Sequence, residues 1–370
     1  MTLRTLPVLI RGEWFLVVSA ATSLAFLLSG GILLGNLAST PWLTLIFAWL
    51  FVVVLGSALS VVRHADHLAV RLGEPYGTLI LTLSITFIEV ISISAVVAHG
   101  ENNPTLTRDT LLAVVMIILN GMVGLSLLLG GWRHREQHYN LHGANAYLGV
   151  IIPLVVLSLI LPDFTHITPG PTLSFAQIFL VLVAVSLYVA FLAIQTGRHR
   201  SYFAEADAAL SDASSNAPPF PVAAHAALLV AYLAPVVFLA EQLAHPVDYI
   251  IETLHAPAPL GGLIVAILVA TPEAVGAVRA AMANHLQRSV NIFLGSVLST
   301  IGLTVPAMVL ISHMAGRDIV LGVEHADSAM LLLTLAVSIV TFASGRTNVI
   351  QGAVHLILFA TYLLLVGATL

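Results

Sequence analysis

The sequence predicts an all-α integral membrane protein of about eleven transmembrane helices, one leading helix followed by two inverted five-helix repeats. Three observations carry this: an apolar composition outside the soluble range, arginines that alternate between the two sides of a membrane, and a self-similarity at half the chain length. Hydrophobic residues make up 59% of the 370 and charged residues 8%, with a mean hydropathy of +1.01. Lipid is therefore the solvent for most of the chain.

Roughly 20 apolar residues cross the hydrocarbon as a helix. Uncharged runs of about that length lie at approximately 14–34, 41–62, 76–98, 110–131, 145–162, 173–196, 222–240, 260–279, 289–312, 328–345 and 347–369. The first is too long for a signal-peptide core and lacks a clear small-x-small cleavage site, so it reads as a retained helix. The tenth is the weakest. Positive residues collect in cytoplasmic loops. With the N-terminus cytoplasmic, the inside holds Arg4, Arg11, Arg63, Arg71, Arg133, Arg135, Arg198, Arg200, Arg279, Arg288 and Arg346, and the outside only Arg108 and Arg317. A missed or invented span would scramble that asymmetry, so it supports both the count and an N-in, C-out orientation.

Sliding the chain by 184 residues lays spans two to six over spans seven to eleven. Gly77, Leu79, Ile80 and Glu89 then face Gly261, Leu263, Ile264 and Glu273. Five spans per copy means that the second enters the membrane from the opposite side, the inverted-repeat plan of secondary transporters. The organisation is thus 1–40 (N-terminal segment and first helix), 41–196 (first repeat), 197–221 (an acidic cytoplasmic linker with Glu205, Asp207 and Asp212) and 222–370 (second repeat).

A carboxylate at mid-bilayer costs several kcal/mol unless it pairs, binds a cation or takes up a proton. Of 18 acidic residues only Glu89 and Glu273 fall near the middle of spans; the others read as loop or span-end residues, including Asp109, Glu241, Asp248, Glu252, Glu324 and Asp327 on the outer side. Thr82, Thr86 and Ser92 share the helical face of Glu89. Pro272 has no N–H for the carbonyl of Leu268, so a kink and a freed carbonyl are expected beside Glu273. The following span of each half adds Asn120, and Ser296, Ser299 and Thr300. Oxygen-only ligands with two carboxylates suit Ca²⁺ or Na⁺ better than a transition metal, and two ionised glutamates neutralise one Ca²⁺. Burial favours protonated carboxyls, so protons and cation compete for Glu89 and Glu273. Competition with alternating access is antiport.

Other chemistries find little support. The chain has no cysteine and no lysine, and its arginines are scattered, which excludes thiolate chemistry, a nucleic-acid surface and a polybasic lipid-binding segment. No phosphate-binding loop, His-Glu-x-x-His or Gly-x-Ser-x-Gly is present, so neither ATP-driven transport nor hydrolysis is expected, and no cofactor is implied. A passive cation channel would also line a pore with carboxylates. His225 and His355 read as packed, hydrogen-bonded side chains. His134, His138 and His142 recur every four residues after span four, a spacing that can hold a metal on a helix, but no carboxylate completes the set.

With Thr82 to Glu89, Ala270 to Glu273 and Gly295 to Ser299 in view, the chain resembles the cation/calcium exchanger superfamily, most closely its bacterial calcium/proton antiporters of the ChaA type. The resemblance covers nearly the whole chain. It implies that Glu89 and Glu273 coordinate the ion with nearby hydroxyls and carbonyls, that Ca²⁺ is exchanged for H⁺ with Na⁺ or K⁺ as an alternative, and that the protein sits in a bacterial inner membrane. The Gly-Asn-Ala-x-Glu pattern of many such exchangers is replaced by Thr86-Phe-Ile-Glu89 and Ala270-Thr-Pro-Glu273, and Ala274 stands where a histidine often follows the second glutamate.

Overall fold

The computed structural model describes residues 13–72, 76–99, 105–164, 173–203, 221–317 and 319–368. Among these, eleven helical rods succeed one another: α1 (Trp14–Leu33), α2 (Thr40–Leu72), α3 (Tyr76–His99), α4 (Leu106–His134), α5 (Leu141–Phe164), α6 (Phe175–Thr196), α7 (Val222–Thr253), α8 (Ala258–Met282), α9 (Leu286–Met314), α10 (His325–Thr341) and α11 (Val349–Ala368). Nine are long and apolar enough to cross a membrane; the apolar stretches of α3 (Ile80–Ala95) and α10 are shorter. Each rod falls on a span expected from hydropathy. Single π-helical turns interrupt three of them, Ile117–Met122 in α4, Val156–Ile160 in α5 and Thr300–Thr304 in α9, and a fourth, Tyr249–Thr253, ends α7.

Several rods outrun their apolar runs. The helix of α2 continues ten residues past its expected end at residue 62 and carries Arg63, His64, Asp66, His67 and Arg71; α7 continues past residue 240 through Glu241, Asp248 and Glu252. Hydropathy marks where a helix crosses lipid, whereas the helix itself persists wherever a neighbour covers one face. Asp109 is corrected further. It lies in the first turn of α4 and is 4% exposed, not in an outer loop. Of the linker, 197–203 is described, with a 3₁₀ turn at Arg200–Tyr202; Glu205, Asp207 and Asp212, like Arg4, Arg11, Glu101 and Asp318, lie outside the described residues.

The helices form two compact units, each drawing on both halves of the sequence. The first, Met1–Glu101 and Ala217–His255, holds α1, α2, α3 and α7; the second, Asn102–Asn216 and Ala256–Leu370, holds the rest. In the first, α2 and α7 pack against each other and both touch α3. Along α1, Ser19 reaches Ser57 at 2.8 Å and Thr22 accepts from Trp49 at 3.3 Å, while Leu24, Leu27, Leu28 and Ile32 are exposed, as a lipid-facing helix requires.

In the second unit the loops gather into two groups, according to whether they follow an even- or an odd-numbered helix. Strand β1 (Glu136–His138), after α4, pairs antiparallel with β2 (Arg346–Asn348), after α10. The same face holds the α8–α9 turn: Gln137 donates to the Ala281 carbonyl at 2.7 Å, and the Gln287 side chain accepts from the Asn140 amide at 2.6 Å. The segment after α6 joins it, the Phe203 carbonyl accepting from Asn291 at 2.7 Å. All these loops follow even-numbered helices. Tyr139 closes the clasp, its hydroxyl accepting from the Gly345 amide at 3.2 Å, and burial pushes its phenol up to about 12, so it stays neutral there. At the opposite face, Arg108 in the first turn of α4 donates to the Gly322 carbonyl between α9 and α10 at 3.2 Å, and the Val323 amide donates to the Leu159 carbonyl near the end of α5 at 2.8 Å. These connections are all odd-numbered.

The α4 rod is the most enclosed of the nine, and glycines bring its neighbours to backbone distance, the small-residue packing that membranes favour. A Cβ on Gly262 of α8 would lie 2.7 Å from the Thr110 amide, and one on Gly352 of α11 would lie 2.4 Å from the Leu128 amide. At the head of α4, Asp109 accepts from Arg108 Nε at 2.8 Å and from Thr105 at 3.1 Å.

Gly352→Val should destabilise the protein by about 1–3 kcal/mol, read as an earlier thermal transition in detergent, while Gly31→Ala, with open space around it, should not. Arg108→Leu leaves the Asp109 carboxylate buried without its cation and should cost about 3–5 kcal/mol. Adding Asp109→Leu should recover most of that loss.

Candidate functional site

The site residues divide between the two units, and each unit presents its own glutamate. In the first, Glu89 lies on α3 and is 2% exposed. Leu83 and Phe87, on the opposite face, are 56% and 49% exposed, so α3 turns its apolar side outward and its polar stripe inward. Thr86 and Ser92, three residues either side of Glu89, are buried; Thr82, one turn further back, is partly buried. Among the described residues neither the Thr86 nor the Ser92 hydroxyl has a hydrogen-bond partner. Buried hydroxyls ordinarily find one, if only in their own helix. Two open hydroxyls flanking a buried carboxylate make a place where an oxygen-seeking cation gains ligands at no cost in existing bonds.

In the second unit, Glu273 lies on α8 in a buried stripe with Ala266, Ala270 and Ala277. These small side chains let α9 come close, and Ser296 Oγ donates a short hydrogen bond to Glu273 Oε2. Ser299 shares that face of α9 and donates to the Ser296 carbonyl at 2.9 Å, with Thr300 beside it, 1% exposed. The α8 helix runs unbroken through Pro272. Leu268 is buried, and the proline opposite its carbonyl has no N–H to offer. The described contacts thus join Ser296 to Glu273 and Ser299 to Ser296, while Leu268 lies on α8 five residues before Glu273.

The described contacts of Asn120 point elsewhere. It sits in the π turn of α4, where its amide donates to Thr334 of α10 at 2.8 Å and its carbonyl oxygen lies 3.3 Å from His355 Nδ1 of α11. Nε2 of His355 meets Thr341 Oγ1 at 2.9 Å. An asparagine, a histidine and two threonines therefore satisfy one another in the interior, as low-dielectric surroundings demand. Polar residues of spans ten and eleven were the available signal for this network, but neither span carries an acidic residue at its centre to draw attention to it. The expected packing role of His355 is what the structure shows.

The histidine triplet after span four does not share a helix. His134 ends α4 and lies 2.9 Å from the Met282 carbonyl, His138 is in β1, and His142 is in α5 against the Tyr202 ring. Among the described residues no three His, Asp or Glu side chains are placed to hold a metal.

Four carboxylates are buried in all among the described residues: Glu13, Glu89, Asp109 and Glu273. Glu13, at the head of α1, was read from sequence as a residue at a span end. It accepts from Arg63 and from the Tyr232 hydroxyl at 2.9 Å. Glu13 and Asp109 each form an ion pair with an arginine of the same unit, Arg63 and Arg108.

Comparison with known proteins places this arrangement. The family model described as sodium/calcium exchanger protein matches residues 42–197 and 224–368. The chain is 45% identical over 315 residues to y4hA of Sinorhizobium fredii, covering 84% of this chain and 85% of that one. It is 41% identical over 320 residues to the sodium-potassium/proton antiporter ChaA of Escherichia coli, covering 85% and 87%. Among solved structures, the fold is similar to that of YfkE, a Ca²⁺/H⁺ antiporter, with a TM-score of 0.70 at 19% identity over 94% of this chain and 97% of that one. The chain belongs to the sodium/calcium exchanger family, integral membrane antiporters of cations rather than enzymes.

Proposed function

We propose that this protein exchanges a hard cation for protons across the membrane by alternating access, with cation and proton competing at Glu89 and Glu273. The observation that carries this reading is local: each buried glutamate is flanked by oxygen donors, the open hydroxyls of Thr86 and Ser92 for the one and Ser296 for the other. Thr82, Ser299 and the Leu268 carbonyl extend the two oxygen sets; Asn120 acts through its network with α10 and α11. A protonated glutamate would keep these groups company without a net charge, and a cation would replace the proton when the carboxyl ionises.

The two segments matched by the family model, and the π turns at Ile117–Met122 and Thr300–Thr304, support a division into repeats at 41–196 and 222–370. A shift of 184 residues carries the first π turn almost onto the second. The arginine distribution supports a cytoplasmic N-terminus and an external C-terminus, and the likeness to bacterial proteins supports placement in a bacterial inner membrane.

Exchange of Ca²⁺ is the reading that charge count supports, since two carboxylates balance one divalent ion. A second reading, exchange of Na⁺ or K⁺ on the same residues, is favoured by the 41% identity to a sodium-potassium/proton antiporter, against 19% to a Ca²⁺/H⁺ antiporter of known structure.

Proteoliposomes loaded with a pH-sensitive dye separate these. Adding the transported cation should release protons, and Glu89→Gln and Glu273→Gln should each reduce the signal to that of empty vesicles. Because protons compete, raising the pH should lower the apparent KM for the cation. A response to Ca²⁺ alone supports the first reading and a response to Na⁺ or K⁺ the second; silence with every cation in the intact protein removes both. Ser296→Ala, which strips the hydroxyl from Glu273, should weaken apparent cation affinity about 10–100-fold, measured in the same vesicles as a rise in KM.

A further inference from the structure

At one end of the first unit, the head of α1, the last third of α2 and the first turn of α7 meet around titratable side chains that the glutamate sites do not use. Glu13 Oε2 accepts from Arg63 Nη2 at 2.5 Å and from the Tyr232 hydroxyl at 2.9 Å, and lies 3.4 Å from His64 Nε2. The other nitrogen of His64 faces α7, with 3.0 Å between His64 Nδ1 and His225 Nδ1. Both rings are closed off from solvent, 1% and 0% exposed. The His67 ring, partly exposed, has its centroid 4.9 Å from that of His225.

Two ring nitrogens at 3.0 Å have room for one hydrogen between them, so one ring donates and the other accepts. A neutral pair holds two ring protons, one per imidazole. A third can be added while the contact survives, giving one imidazole and one imidazolium with the shared hydrogen between the Nδ1 atoms. A fourth would set N–H against N–H and force the rings apart. The capacity of the intact pair is therefore one exchangeable proton.

Burial of both rings opposes an added charge, and the surrounding groups set where that proton rests. The Glu13 carboxylate faces His64 Nε2 and favours the added charge on that ring; Arg63 beside it, with His67 and Arg71 further along α2, oppose it. Asp66 lies on the same stretch of α2, Tyr232 is the titratable side chain of α7 against Glu13, and α3 brings Glu89 as the one charged side chain described on it.

We propose that Glu13, His64 and His225 form a binding site for a single proton, separate from Glu89 and Glu273, that ties α1, α2 and α7 together. Uptake converts the neutral pair to imidazole–imidazolium by forming one N–H bond on a ring lone pair. Release breaks one N–H bond and returns the pair to neutrality. No other bond changes, and the gained charge is balanced across the 3.4 Å gap to Glu13.

The test is a histidine ¹⁵N NMR titration of the full chain in lipid nanodiscs, without added cation, from about pH 9 to about pH 5. Sequential assignment through Arg63–His64 and Ala224–His225 reads the wild-type protein directly. The expected result is that both rings shift with one common midpoint, together gain one proton, and show scalar coupling between their Nδ1 atoms. Glu13→Gln should lower that midpoint by about one pH unit, and His225→Gln should move the His64 midpoint while abolishing the coupling. Two rings that each reach full protonation at unrelated midpoints would overturn the proposal, as would two rings that gain no proton across the range. The readout needs no transport activity, so failure of the exchange assay and failure of this site are separate results.

Discussion

A carboxylate inside a membrane must be compensated where it stands, because neither water nor distant counter-ions reach it. That constraint organises this protein. Glu13 and Asp109 meet it with ion pairs, to Arg63 of α2 and to Arg108 of α4. Glu89 and Glu273 stand deeper in their rods among hydroxyls, a softer form of compensation that leaves room for exchange between a proton and a metal ion. The same residue type thus serves as rivet or as binding group, according to what lies within hydrogen-bonding reach.

Around this constraint the second unit is built on α4. Glycines from α8 and α11 close on its backbone, an ion pair fixes its head, and a two-stranded clasp fastens the loop at its foot. Some polar groups within it satisfy one another, as Asn120, Thr334, His355 and Thr341 show. Lipid leaves little alternative: a hydroxyl or amide without a partner is tolerated only where something else comes to fill it. The buried hydroxyls of Ser126, Ser158 and Ser289 likewise have no partner among the described residues; those of Thr86 and Ser92 differ in flanking a buried carboxylate.

Much of the fold was legible because hydropathy and arginine placement respond to the same bilayer that shapes the helices. Every rod was visible as an apolar run, and the even and odd connections of the second unit separate onto two faces as the arginines had implied. What hydropathy could not show was helix that continues beyond the lipid. The polar ends of α2 and α7 hold together through His64, His225, Tyr232 and Glu13, residues far apart in sequence whose meeting depends on tertiary packing. The burial of the two glutamates was legible from cost alone, and Ser296 was a candidate as a hydroxyl on the span that follows Glu273. Asn120 was read correctly as a costly residue but its partners, on spans ten and eleven, have no local signature.

The π turns of α4 and α9 bear on how this chain is compared with others. A turn closed by i→i+5 bonds holds one residue more than the α-helix on either side of it, so the side chains beyond Met122 and Thr304 are rotated by about 100° from where a continuous helical wheel would put them. A relative that crosses the membrane with a plain α-helix at either place needs one residue fewer to present the same face. A one-residue gap within Ile117–Met122 or Thr300–Thr304 in an alignment would then record a real difference in winding, and closing it to improve the match would put every later residue of that span on the wrong side of the helix.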